Sequence, residues 1–129
     1  MLSPQAESFA AFVTRMRKEH NMTMSALANI LGVSSPYLYD VEQGHRNPLK
    51  KENLEKMAAF FELDAEETAL MFDLAGIDRG IVPLDLPDYI LNNAYVRVAL
   101  RKAKKKCIAN EIWQDFIDRI DGMQGVNVT

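Results

Sequence analysis

Residues 24–48 read MSALANILGVSSPYLYDVEQGHRNP, and this stretch decides the fold. Leu27, Ala28, Ile30 and Leu31 recur at helical spacing behind Thr23, whose hydroxyl suits an N-cap, and Gly32 supplies the stop. Val33 is the apolar residue just past that stop. Ser34 and Ser35 can each cap a new helix, and Pro36 is tolerated in a first turn, where an amide has no intrahelical partner. Leu38 and Val41 then form the inward side of this second helix. Gly44 closes it, and His45-Arg46-Asn47-Pro48 is a polar loop. Two helices can cross tightly only with a small residue at the contact, a residue free to take positive φ at the turn, and apolar residues that fix the angle. Ala28, Gly32 and the set Leu27, Leu31, Val33, Leu38 and Val41 meet those three needs.

Working outward, Ser3-Pro4 predicts an N-cap with proline in the first turn, and Phe9, Phe12, Val13 and Met16 predict a helix running to about His20. Leu54, Met57, Ala58, Phe60 and Phe61 mark a fourth helix. Asp64-x-x-Glu67 starts a fifth with a capping-box pattern, continuing through Leu70, Met71 and Leu74 to Gly76. Gly80, Pro83 and Pro87 interrupt any regular element, which predicts a linker with a short extended piece at Ile81-Val82. One amphipathic helix is expected from Pro87 to about Lys106. Another begins after Asn110, on the stripe Ile112, Trp113, Phe116, Ile117 and Ile120. The expected architecture is all-α: a five-helix domain over residues 1–76, a linker over 77–86, a C-terminal two-helix unit over 87–121 and a frayed tail over 122–129.

The chain has 129 residues, a net charge of −3 and a single cysteine. No apolar stretch approaches the roughly 20 residues of a membrane span, and the start lacks a signal pattern, so a cytoplasmic, reducing setting is expected. A negative sum argues against a nucleic-acid partner, yet its distribution matters more. Residues 1–56 carry seven Lys/Arg against six Asp/Glu, residues 57–88 one against eight, and residues 89–129 seven against four. The acidic middle is expected to face away from DNA. His20 and His45 lack metal-ligand spacing, and no Ser-His-Asp set, phosphate-cradling loop or paired carboxylates appear, so neither catalysis nor a cofactor is expected.

The segment Met24–Pro48, with one helix before it and two after, resembles the repressor and Cro-like helix-turn-helix regulators of phages and bacteria, the XRE type. The resemblance covers about residues 5–75. It implies double-stranded DNA as the partner and makes Ser35–Gln43 the recognition helix, lying in the major groove with its N-terminal residues at base edges. By position Ser35, Pro36, Tyr39 and Asp40 face the bases, and Asn29, Ser34, Arg46, Asn47 and Lys50 are the candidate phosphate clamps. Met24 departs from the family, which commonly places a polar, phosphate-touching residue there.

Other features have plainer readings. Tyr37 is expected to be half-buried rather than base-contacting, Arg15, Arg17 and Lys18 to be the solvated face of the first helix, and the run Arg101, Lys102, Lys104, Lys105 and Lys106 to be a solvated helix end favoured by the dipole. Cys107 reads as a passive apolar residue. The C-terminal helices carry more apolar surface than a free hairpin can bury, with Tyr95, Val98, Trp113, Phe116 and Ile120 the candidate dimer or partner interface; packing on the first domain is the alternative. The functional expectation is a dimeric repressor on a pseudo-palindromic operator. The rivals are an antitoxin or immunity-type protein whose C-terminal helices bind a partner protein, and a protein-binding scaffold without a DNA role.

Overall fold

The computed structural model describes residues 7–46 and 49–124. Among the described residues there are eight helices and no strand: α1 Phe9–Glu19, α2 Met24–Leu31, α3 Ser35–Glu42, α4 Lys51–Phe60, α5 Ala65–Arg79, α6 Pro87–Leu91, α7 Ala94–Lys106 and α8 Asn110–Asp121. The chain divides into two compact units, one through Tyr89 and one from Ile90 onward. Of the tail expected over 122–129, residues 125–129 lie outside the described residues.

The first unit is built around a core from α1–α5 in which Phe12, Val13, Leu27, Leu38, Leu54 and Met71 are fully buried. Its helices start where a side chain can satisfy an orphan amide. Ser8, Thr23, Ser34 and Asp64 each accept a backbone N–H three residues on, and Glu67 returns the bond to the Asp64 amide to complete a capping box. The predicted cap at Ser3-Pro4 lies outside the described residues; the observed α1 opens at Ser8.

Two charges meet at the edge of this core, one buried and one half-buried. Glu42, on α3, is buried, and Arg17, on α1, reaches it with Nε 2.9 Å from Oε2 and Nη2 3.1 Å from Oε1. Thr14 donates to the same carboxylate at 2.8 Å, and Arg17 Nη1 donates to the Met22 carbonyl at 3.0 Å. Arg17 is therefore not part of a solvated face: its side chain keeps 15% of its exposure and Glu42 only 2%. Arg15 does stay at the surface, where Glu7 and Glu19 hold it, and the Glu7 hydrogen bond raises its pKa. Lys18 is exposed as expected.

The fifth helix does not end at Gly76 but runs to Arg79, with Gly80 as its left-handed cap. Ile77 to Arg79, expected to begin a linker, are its last turn. Gly76 is buried for a different reason: a Cβ there would sit 2.9 Å from the Ile81 carbonyl oxygen and 3.1 Å from Pro83 Cα. The chain folds back over α5 at that point, Ile81 N–H donating to the Gly76 carbonyl at 3.0 Å and Leu84 packing on the core. Ile81 stands at a bend and Val82 follows it outside any helix or strand.

The second unit also departs from expectation, because the helix predicted from Pro87 to Lys106 is broken at Asn92-Asn93. Asn93 is extended (φ −135°) and its side chain accepts the Val96 N–H, so it caps α7 instead of continuing α6. Arg97 secures the break by donating to the Ile90 and Leu91 carbonyls that end α6. Short polar side chains that bond nearby amides compete with helix continuation in this way. Cys107 takes φ +48° at the end of α7, and α8 starts behind Ala109 without a side-chain cap.

Two stability tests follow from these contacts. Glu42→Ala leaves the Arg17 guanidinium buried without its partner and should cost about 3–5 kcal/mol in urea unfolding, whereas Arg17→Met/Glu42→Leu should recover most of that loss. Gly→Ala inside a helix normally adds about 1 kcal/mol. Gly76→Ala should instead remove about 1–3 kcal/mol, because its methyl meets backbone that must shift; a rise in thermal midpoint would refute the close approach.

Candidate nucleic-acid interface

The α2–α3 crossing is set by the turn between them. Gly32 sits at φ +73°, and Val33 N–H donates to the Ala28 carbonyl at 3.0 Å, which turns the chain sharply and drops Val33 onto the core. A residue with a Cβ is strained in that backbone conformation. Ala28 is buried at the contact, as its small size requires. Lys56 Nζ lies 3.7 Å from the place a Cβ on Gly32 would take, bringing an ammonium to the outside of the turn.

Helix α3 begins at once, with Ser34 Oγ accepting the Tyr37 N–H at 3.1 Å and Pro36 in the first turn. Leu38, Val41 and Glu42 are buried and fix its rotation. Its other side is what remains: Pro36 is exposed, Tyr39 keeps 53% of its surface, and Ser35 and Asp40 are half-buried beside them. Residues 35, 36, 39 and 40 thus share one outward strip, as the one-and-four spacing demands. Tyr37 is half-buried and packs on the core's edge.

Polar contacts tie this strip to its surroundings. Ser35 Oγ donates to Ser25 Oγ at 3.3 Å, linking the first turns of α2 and α3. Arg46 places Nε 3.8 Å from an Asp40 carboxylate oxygen and its guanidinium carbon 5.2 Å from the centre of the Tyr37 ring. That pair is exposed and worth little in water, but it puts a cation next to the one acid on the strip. Asn29 on α2, Ser34 at the start of α3, Arg46 after α3 and Lys50 before α4 are all exposed, whereas Asn47 lies outside the described residues. Ser25 and Lys56 were missed in the sequence. Ser25 follows the cap Thr23 by two residues and Lys56 belongs to a later helix, so only the Ser25 position carried a local signal.

Of the residues singled out in the second unit, two line a groove and three do not. Trp113 and Phe116 share an apolar groove with Ala99, Ala103 and Ile112, while Tyr95, Val98 and Ile120 lie outside it. Tyr95 keeps 90% of its surface, and no residue of α6, α7 or α8 is buried. Among the described residues no helix is long and apolar enough to cross a membrane.

Residues 13–67 match a protein-family model described as helix-turn-helix, a span that begins inside α1 and ends in the first turn of α5. Searches of curated proteins and of solved structures found no significant match. Residues 13–67, with Gly32 at the turn and α3 presenting its outward strip, thus form a helix-turn-helix domain similar to those of the XRE-type DNA-binding transcriptional regulators.

Proposed function

We propose that the protein is a cytoplasmic repressor that binds a pseudo-palindromic operator as a dimer and blocks a promoter by occupying it. The observation that carries this reading is the outward strip of α3, free of core contacts while Leu38, Val41 and Glu42 hold the helix from behind. In the major groove Ser35 can donate or accept, Asp40 can accept from a cytosine amino group, Pro36 offers apolar contact to a thymine methyl, and Tyr39 reaches a base or a phosphate. No arginine or glutamine stands there to pair bidentately, so shape and ordered water carry a larger share of the discrimination.

Phosphates are held by Asn29, Ser34, Arg46 and Lys50 around that strip, and by Asn47. Arg46 also offsets the Asp40 carboxylate, which would otherwise repel the DNA backbone. The acidic segment from residue 57 to 88 faces away from DNA. One such domain contacts few base pairs, so two copies read half-sites about one helical turn, ~34 Å, apart. Tyr95, Val98, Trp113, Phe116 and Ile120 of the second unit supply the surface that holds the pair together.

Sequencing the duplexes that the protein retains from a random DNA pool should yield an inverted repeat. Tyr39→Ala/Asp40→Ala should lose or blur that repeat, while Arg46→Ala should weaken binding to every sequence and reduce the log–log salt slope by about one. Equal losses on all sequences from both variants would contradict the assignment of α3, and no enrichment at low salt would contradict DNA reading itself.

A further inference from the structure

Helices of 13 and 12 residues are marginal in water on their own, and α7 and α8 have these lengths without a buried residue between them. They meet at no more than isolated points and stand apart across an open apolar groove. Ala99 and Ala103 line it from α7, Ile112, Trp113 and Phe116 from α8, and Lys102 and Lys106 stand beside the alanines. Ile117 and Ile120 project from α8 with nearly half of their surface exposed.

The charges of the unit are segregated. Helix α7 carries Arg97, Arg101, Lys102, Lys104, Lys105 and Lys106 with no acid, whereas α8 carries Glu111, Asp115, Asp118 and Asp121 against Arg119. Among the described residues no ion pair joins one helix to the other. An apolar groove with lysines at its side fits an amphipathic helix whose polar flank is acidic. Helix α8 has that composition, with acids three and four residues apart beside its apolar face, but in its own chain it is a wall of the groove and cannot also fill it.

We propose that the groove is filled by α8 of a second copy of this chain. Each copy then gives an α8 and receives one, which closes a two-fold arrangement: the two α8 helices pack about the axis and each lies along the partner's basic α7. Ile117 and Ile120 become core, and the lysine run, a solvated helix end in one copy, becomes the flank that meets the acids of α8. The inference rests on the dimeric reading above and names the surface and register of charge that make it specific to a second copy.

The test uses the full chain without DNA, so its outcome is separate from whether α3 reads bases. Sedimentation equilibrium should find the wild type dimeric. Lys102→Glu/Lys106→Glu and Asp115→Lys/Asp118→Lys should each weaken self-association by about tenfold or more, and an equimolar mixture of the two should regain dimers as heterodimers. Circular dichroism of the mixture should match the wild type, which separates loss of pairing from loss of folding. A monomeric wild type, variants that self-associate as well as the wild type, or a mixture that stays monomeric would each overturn the proposal. A monomeric chain that is purified with another protein bound to this unit would give the groove to a foreign acidic helix, and would overturn it equally.

Discussion

The buried pair between Arg17 and Glu42 is the constraint on which the first unit depends. Two charges at the edge of a hydrophobic core are costly unless their hydrogen-bonding capacity is met, and here the carboxylate receives Arg17 and Thr14 while the guanidinium also bonds the Met22 carbonyl. Those bonds join three places: the middle of α1, the loop before α2 and the end of α3. Apolar packing of Leu38 and Val41 tolerates small rotations of α3, but a bidentate ion pair at its last turn does not. With the inward side so fixed, Ser35, Pro36, Tyr39 and Asp40 have a single direction left to face.

Local chemistry made most of the first unit legible. The caps at Thr23, Ser34 and Asp64, the glycine at position 32 and the inward spacing of Leu38 and Val41 act within a few residues, and each appears in the structure as read. What escaped reading acts across the fold. Gly76 looks locally like a helix stop, since a glycine needed for positive φ and one needed for close approach leave the same mark in a sequence; only the returning segment of residues 81–83 tells them apart. Arg17 and Glu42 did carry a signal, as each follows a buried residue by four, Val13 and Leu38 respectively. Charge alone suggested a solvated face, and position on the helix suggested the core; position won because both partners share the site.

The second unit was misread for the opposite reason. Its apolar period runs almost unbroken from Ile90 into α7, so periodicity predicts one helix, yet the Asn92-Asn93 pair offers the backbone a local alternative that Arg97 then reinforces. The result is a short α6, a capped break and a separate α7 in place of one continuous helix. Exposed apolar residues such as Tyr95, Phe116 and Ile120 are unusual in their concentration here rather than singly. A unit with apolar faces, opposed charges and no buried residue in α7 or α8 is what the proposed pairing rests on, and that proposal keeps pairing and base reading in separate parts of the chain.

The most direct test of the account is amide chemical-shift mapping of the full chain titrated with a duplex carrying the enriched repeat. Changes concentrated on residues 35–40 and on the segment from Gly44 to Lys50, with the amides of 65–79 unmoved, are the predicted result. Changes centred on that acidic helix, or spread evenly without focus on α3, would contradict the claim that the outward strip of α3 is where this protein meets DNA.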